Sequence, residues 1–155
     1  MSRELIERLY GAMNQGDGET MASCYAPDAR FSDPAFGELR GSEPGDMWRM
    51  LTGRATDLTV ELAEHEADEH RGSAHWIARY TFGPTGRHVV NDIRATFRFE
   101  NGLIAEHDDR FSFHKWSRQA LGLPGTLLGW TPLLRASVRR RARGDLEKFR
   151  AGEAT

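Results

Sequence analysis

Apolar residues with helical spacing dominate the first third of the chain. Over residues 3–14 they recur three and four positions apart, which predicts an amphipathic helix. A second, short helix is predicted from a cap at Asp17 to about Tyr25, and a third from a cap at Ser42 to about Gly53. Between them, the stretch ARFSDP indicates a brief strand that Pro34 ends.

From Leu58 onward the apolar period changes from helical to alternating. Four strands are predicted, and the turns between them contain glycine, which is typical of hairpins between antiparallel neighbours. Their ranges are 58–68, 73–82, 88–100 and 103–115. Helices followed by such a meander predict an α+β domain whose helices pack on one face of an antiparallel sheet.

Alternation along these strands separates an aromatic face from a charged face. We expect the aromatic face to meet the helices and to enclose a largely apolar pocket for a small molecule. Its members in the last three strands are Trp76, Ala78, Tyr80 and Phe82, then Asn91, Ile93, Ala95, Phe97 and Phe99, then His107, Asp109, Phe111 and Phe113.

The chain after the sheet divides into an apolar stretch and a basic helix. Residues 116–132 are rich in Gly and Pro and are predicted to be irregular but packed. Thr131 is a candidate N-cap and Pro132 suits the first turn of a helix, so a helix is predicted from Pro132 to about Gly152. We therefore expect one domain over residues 1–131, with the basic amphipathic helix of residues 132–155 packed on it. Such a helix can also contact an anionic membrane or nucleic acid, and nucleic acid is the least favoured.

Composition narrows the class of protein. The 155 residues are 39% hydrophobic and 28% charged, which suits one folded domain. Lys and Arg number 14 against 20 acids through Thr131, and 7 against 3 from Pro132 onward. The single cysteine, Cys24, is expected to be buried, and its isolation fits a cytoplasmic location. We recognise no membrane span, signal peptide, metal-ligand spacing or nucleotide-binding motif, so neither a metal nor another cofactor is expected.

Two stretches carry a resemblance to a known superfamily. FSDPAFGELRG after the second helix and NGLIAEHDDRFSF across the last hairpin, together with the element order, resemble the nuclear transport factor 2-like superfamily. The SnoaL-like polyketide cyclases and the ketosteroid isomerases are the most similar branch, over roughly residues 3–114. The resemblance implies a cone-shaped half barrel, often dimeric through its outer face. Members include isomerases, cyclases, epoxide hydrolases, dehydratases and noncatalytic binding domains, so the reaction stays open.

The resemblance implies roles for two aspartates. Asp33 falls where ketosteroid isomerases place the carboxylate that moves a proton between carbons. Asp109 matches a carboxylate that takes part in acid-base chemistry in the cyclases and the limonene epoxide hydrolases. The oxyanion donors of the ketosteroid isomerases, a group that this chain resembles, are not matched. Leu9 stands at the position of the tyrosine donor, with Tyr10 one residue off, and Ala95 stands at that of the aspartic acid.

The limonene epoxide hydrolases require a further pair in the preceding strand. They place an Arg two residues before an Asp, whereas this chain has Arg94 before Thr96. The water-activating set is incomplete, which argues against epoxide hydrolysis.

The sequence therefore predicts a cofactor-independent proton-transfer enzyme, isomerase or cyclase-like, that acts on a small apolar carbonyl compound. Asp33 and Asp109 are the expected acid-base pair, with Asn91 or His107 assisting. The expected ligand-binding side chains are Tyr10, Trp48, Trp76, Tyr80, Phe97 and Phe111. The alternative is a noncatalytic ligand-binding or dimerisation module, in which Asp33 caps a turn and the aromatics are ordinary core. A homodimer is expected.

Overall fold

The computed structural model describes residues 2–152, which form six helices and six strands. The helices are α1 (Ser2–Asn14), α2 (Gly18–Ser23), α3 (Glu43–Arg54), α4 (Phe113–Leu121), α5 (Leu123–Leu128) and α6 (Pro132–Arg150). The strands are β1 (Tyr25–Asp33), β2 (Gly37–Arg40), β3 (Thr59–Ala67), β4 (Arg71–Phe82), β5 (Arg87–Glu100) and β6 (Leu103–Arg110).

The strands form one curved, unclosed sheet in the order β2-β1-β6-β5-β4-β3. The predicted meander of β3 to β6 is confirmed, and its neighbours are antiparallel. β1 lies beside β6 and runs parallel to it. The helices pack against the sheet, so the fold is the predicted α+β class.

The core lies between the sheet and the first three helices. In β5, residues 89, 91, 93, 95, 97 and 99 are buried and the residues between them are mostly exposed, as alternation requires. α1 contributes Leu5, Ile6, Leu9 and Met13, as its apolar stripe predicts. Cys24 is fully buried, as expected, and burial raises the pKa of its thiol.

The structure differs from the prediction where the last strand ends. β6 ends at Arg110, and α4 begins at Phe113, within the segment predicted as strand. Ser112 caps this helix by accepting a hydrogen bond from the Lys115 amide at 3.2 Å. Residue 113 fits the alternation of residues 107–111 only by coincidence. The buried positions of α4 are 113, 116, 117 and 120, and they have helical spacing. The segment predicted to be irregular is largely α4 and α5.

Three local predictions near the chain start are also corrected. α2 ends at Ser23, and Tyr25 begins β1 instead of closing the helix. β2 was not predicted, because four residues are too few to show a period. Ser42 makes no side-chain cap to α3; its hydroxyl instead accepts a hydrogen bond from Arg150 at 2.9 Å.

The last three helices build a second, smaller core. Val89 of β5 meets Phe113, Trp116 and Ala120 of α4, and α6 adds Leu134 and Val138. Further along α6, Leu146 is buried in the main core. Ion pairs join α6 to α3, including Arg150 to Asp46 at 3.0 Å. α6 thus lies across both cores.

Candidate functional site

The two predicted aspartates lie side by side on neighbouring strands. Ser32 of β1 pairs with Asp108 of β6, and Asp33 and Asp109 follow directly on these parallel strands. Asp109 is 5% exposed and Asp33 is partly buried. The charge of Asp109 helps to raise the pKa of Asp33, so the two carboxyls influence each other electrostatically.

A chain of buried hydrogen bonds leads to Asp109. Trp48 Nε1 donates to Tyr25 Oη at 2.8 Å, and Tyr25 Oη lies 2.8 Å from His107 Nδ1. His107 Nε2 lies 2.8 Å from Asp109 Oδ1. An indole nitrogen can only donate, so the Tyr25 oxygen accepts from Trp48 and uses its own proton toward His107. Neutral His107 therefore carries its proton on Nε2 and donates it to the Asp109 carboxylate.

Aromatic rings surround His107 on several sides. The ring centroid of Phe97 lies 4.4 Å away, and that of Phe31 lies 5.0 Å away in an edge arrangement. His107 has no exposed surface. The predicted partner of Asp109 is thus fixed by packing as well as by hydrogen bonds.

Asp33 caps a turn, and its pKa is raised. Its Oδ1 accepts from the backbone amides of Ala35 at 2.9 Å and Phe36 at 2.6 Å, so it caps the turn between β1 and β2. Burial is the main cause that raises the pKa of Asp33 to about 7, and Asp109 adds to it. The two amide donors and Arg139 act in the opposite direction. At neutral pH a large share of Asp33 is protonated.

Two donors inside the core have no acceptor in residues 2–152. They are Tyr10 Oη and Trp76 Nε1, on side chains that are 2% and 3% exposed. Their ring centroids are 5.0 Å apart. Burial, together with the charge of Asp109, raises the pKa of Tyr10 well above its ordinary value, so the phenol keeps its proton. Buried donors normally have an acceptor, so this pair requires an explanation.

Sequence reasoning did not find two neighbours of the aspartates. Tyr25 lies in the hydrogen-bond chain. It precedes an irregularity of β1, where Tyr25 and Ala26 are both buried and Pro27 and Asp28 are both exposed, so no alternation marked it. Arg139 of α6 lies over Gly37, and its buried Nε has no acceptor in the described part of the chain. No sequence signal connects Arg139 to Asp33, because they are 106 positions apart.

The remaining predicted side chains take different places. Tyr80 Oη accepts from Trp116 Nε1 at 2.8 Å, and the charge of Asp33 contributes to a raised pKa of Tyr80, after burial. Phe111 packs against both cores. Asn91 is 7% exposed and lies four residues from the Ala95 that pairs with Asp109, or about 13 Å along β5. Asn91 therefore stands apart from the aspartates.

Two surface grooves lie outside this group. One has a volume of about 450 Å³ and lies across β3, β4 and β5. The other has a volume of about 480 Å³ and lies at the turn between β3 and β4. Neither is lined by a predicted site residue. The concave face itself carries closely packed rings, so the internal pocket stays a prediction.

Residues 6–107 match the family profile of the SnoaL-like domain. That segment covers more than half of the chain and includes Tyr10, Asp33 and His107. The chain belongs to the SnoaL-like domain family. Asp109 lies just beyond the matched residues of this SnoaL-like domain. No curated protein matches the chain.

Solved structures support the same fold. IdmH, a candidate polyketide cyclase from Streptomyces antibioticus, is 26% identical, with 79% of this chain and 99% of that chain covered and a TM-score of 0.64. A ketosteroid isomerase-like protein from Catenulispora acidiphila, solved with trimethylamine, is 18% identical, with coverages of 83% and 98% and a TM-score of 0.68. An LEH-like epoxide hydrolase of M. tuberculosis is 19% identical, with coverages of 82% and 95% and a TM-score of 0.66. This SnoaL-like domain therefore has the nuclear transport factor 2-like fold.

Proposed function

We propose that this protein is a cofactor-independent acid-base enzyme of the isomerase or cyclase type, acting on a small apolar carbonyl compound. The observation that carries the proposal is the pair of neighbouring carboxyls, of which Asp109 is held by His107 and Asp33 has a pKa of about 7. The similarity to IdmH agrees with a cyclase-type reaction.

Asp109 is assigned as the base. One of its oxygens accepts from His107, and the other has no hydrogen-bond partner in residues 2–152. The free oxygen takes a proton from the carbon next to the substrate carbonyl, and the electron pair of that C–H bond forms a C=C bond. His107 keeps the carboxylate oriented, and Tyr25 fixes the imidazole.

The substrate oxygen needs donors once it becomes an enolate. Tyr10 Oη and Trp76 Nε1 are buried donors that lack an acceptor among residues 2–152, and the charge of Asp109 acts on Tyr10. The Trp76 indole is directed toward the Tyr10 oxygen and opposes the rise in the pKa of Tyr10. We assign the carbonyl oxygen to this pair, because a preorganised pair of donors stabilises charge that develops there.

Asp33 is assigned as the acid. A large share of Asp33 is protonated at neutral pH, and Asp33 lies on the strand next to Asp109, so it can protonate the enolate at another carbon or at oxygen. The proton on Asp109 then returns to Asp33 through solvent or product. Asn91 stays a predicted assisting group, and its amide would contact a more distant part of the ligand.

A noncatalytic binding domain is the second candidate. It is favoured by the use of one Asp33 oxygen as a turn cap and by the packed rings on the concave face. Epoxide hydrolysis is not supported, because Arg94 and Thr96 are exposed on the outer face of β5 and Asp109 is on the inner face.

Solvent deuterium uptake tests the proposal directly. The purified protein is incubated in D₂O with a panel of apolar ketones and β-diketones, and label at the carbon next to the carbonyl is followed by NMR. Asp109→Asn should slow the exchange by about 100-fold or more, because general base catalysis contributes at least that factor. Asp92→Asn, on the outer face, is the matched control and should leave the rate unchanged.

Two results would contradict enzyme function. Exchange that persists at the same rate in Asp109→Asn removes Asp109 from the chemistry. Ligands that bind the wild type without any deuterium uptake favour the noncatalytic domain.

We also propose that the chain is a cytoplasmic homodimer. The charged outer face of the sheet is available for pairing. Light scattering should give twice the mass of one chain, and a monomer at all concentrations would contradict the dimer.

A further inference from the structure

Large apolar side chains are exposed where α5 turns into α6. We call residues 123–133 the apolar elbow. Within these 11 residues, five side chains are mostly open to solvent: Leu123 at 69%, Leu127 at 60%, Leu128 at 51%, Trp130 at 74% and Leu133 at 83%. Single exposed apolar side chains are common on proteins, but four leucines and one tryptophan in one short segment indicate an interaction surface.

Close packing through glycine explains why the leucines of α5 point outward. Gly125 and Gly129 are buried against Ser117 of α4. A Cβ on Gly125 would lie 2.0 Å from the Ser117 carbonyl oxygen, and one on Gly129 would lie 2.2 Å from Ser117 Oγ. α5 therefore packs against α4 through glycine and exposes its leucines to solvent. An ordinary surface helix instead buries its large apolar side chains.

Hydrogen bonds hold the elbow in a defined shape. Trp130 Nε1 donates to the Leu127 carbonyl at 3.1 Å, and Thr131 Oγ1 donates to the Leu128 carbonyl at 2.6 Å. The indole nitrogen is thus satisfied, and the exposed ring offers its apolar surface.

The charge around the elbow has one sign. Residues 110–144 contain eight Lys and Arg and no Asp or Glu. Arg118 of α4 and Arg135, Arg140 and Arg141 of α6 are exposed. An exposed apolar segment flanked by helices that carry basic residues and no acid through residue 144 complements an apolar layer covered by anions.

We propose that the apolar elbow docks on the surface of an anionic lipid bilayer. Leu127, Trp130 and Leu133 enter the boundary between headgroups and acyl chains, and the surrounding arginines contact lipid phosphates. None of the helices in residues 2–152 is long and apolar enough to cross a membrane. The contact is peripheral and does not depend on the proposed enzyme activity.

Vesicle sedimentation with the full chain tests the docking. The protein should pellet with vesicles of phosphatidylcholine and phosphatidylglycerol in equal amounts, and much less with phosphatidylcholine alone. Leu127→Ser with Leu133→Ser should weaken binding about tenfold or more, because the inserted apolar surface is lost. Arg140→Gln with Arg141→Gln should have a similar effect that disappears at high salt. Val90→Ser, at a 47% exposed valine of the outer sheet face, is the matched control.

Tryptophan emission gives an independent measurement at the elbow itself. Trp130 is 74% exposed, whereas Trp48, Trp76 and Trp116 are each 6% exposed or less. Anionic vesicles should shift the emission to shorter wavelength, and Trp130→Phe should remove the shift while the protein still pellets.

Three outcomes would overturn the proposal. The wild type fails to pellet with anionic vesicles, or it pellets with an unchanged Trp130 spectrum. In the third, light scattering shows a dimer that Leu127→Ser with Leu133→Ser dissociates, which assigns the elbow to a second copy of the chain.

Discussion

At the scale of single residues, the hydrogen bonds of the buried Tyr25 oxygen determine which ring nitrogen of His107 faces Asp109 as a donor. The Tyr25 oxygen accepts from Trp48, so its own proton serves His107 Nδ1, and the His107 proton then faces Asp109. Burial raises the pKa of Tyr25 well above its ordinary value, so this proton is not lost in the physiological range. A residue that need not touch substrate thus sets which atom of His107 is a donor.

Replacing Tyr25 tests this arrangement. Tyr25→Phe should lower the free energy of unfolding by about 1 to 3 kcal/mol, because Trp48 Nε1 and His107 Nδ1 both lose a buried partner. Urea unfolding measures the loss, and ¹⁵N NMR of His107 should show a mixture of tautomers. Tyr80→Phe, which removes the partner of Trp116 only, should cost less. An equal or smaller loss for Tyr25→Phe would contradict the role of the chain.

Asp33 should make stability depend on pH. In the unfolded chain its carboxyl ionises near pH 4, whereas in the folded protein its pKa is about 7. Between these values the folded state retains a proton that the unfolded chain releases, so stability falls as pH rises from about 4 to about 7 and then levels. The full shift corresponds to about 4 kcal/mol, and partial exposure reduces the expected loss to about 1 to 3 kcal/mol.

Asp33→Asn isolates this effect, because the amide oxygen can still accept from the Ala35 and Phe36 amides. Urea unfolding at several pH values gives the free energy of unfolding of both proteins. The wild-type value should fall between pH 4 and 7 relative to that of Asp33→Asn. Asp28→Asn, at an exposed carboxylate of the same strand, should leave the curve unchanged. If the free energy of unfolding of the wild type instead rises between pH 4 and 7 relative to that of Asp33→Asn, the folded protein does not retain the Asp33 proton.

Alternation was sufficient to predict part of the site. It placed Asn91, Phe97, His107 and Asp109 on the buried face, because strand period depends only on neighbouring residues. It could not show that Asp33 combines a turn cap with a raised pKa, since the pKa depends on burial and on Asp109. The contact of Arg139 depends on tertiary packing, and no local pattern contains it.

At the scale of elements, α6 meets the sheet at the turn between β1 and β2. Arg143 donates to the carbonyls of Phe36 at 3.2 Å and Glu38 at 2.7 Å. Arg139 lies over Gly37, where a Cβ would come within 2.9 Å of its Nε. The absence of a side chain at Gly37 thus lets an α6 cation approach Asp33.

A pair of glycine substitutions measures this contact. Gly37 and Gly86 have φ of 73° and 72°, so either Ala variant should lose about 1 to 2 kcal/mol from backbone strain. Only Gly37→Ala also displaces Arg139, because nothing lies within 4 Å of a Cβ at Gly86. Thermal unfolding should therefore show a larger loss for Gly37→Ala, and the pKa of Asp33 should rise further. When Arg139 is also replaced by Ala, Gly37→Ala and Gly86→Ala should lose the same stability. A larger loss for Gly37→Ala in that background would contradict the contact between Gly37 and Arg139.

Element prediction succeeded where periods were long and failed where they were short. The twelve residues of β4 and fourteen of β5 agree with the predicted strands within two residues. β2 is four residues and α5 is six, so neither shows a period, and glycine packing holds α5 in place of an apolar stripe.

At the scale of the whole molecule, charge is divided between two parts. Residues 113–152 carry nine Lys and Arg against two acids, so the remainder of the chain is acidic. The acidic part contains the sheet and the proposed site, and the basic part contains the helices of the second core. Sequence counts indicated this division, but only the fold shows that the exposed leucines lie in the basic part.

The unclosed sheet leaves two strand edges that could recruit another chain, and both are poor templates. β2 offers only four residues. β3 is interrupted by an irregularity between Leu62 and Glu64, and it carries Glu61, Glu64 and Glu66. Like charges and broken register oppose strand addition, so an open barrel of this kind resists growth into fibrils. Two copies that met at their β3 edges would bring Glu61, Glu64 and Glu66 of each chain close to those of the other, so charge repulsion opposes that contact.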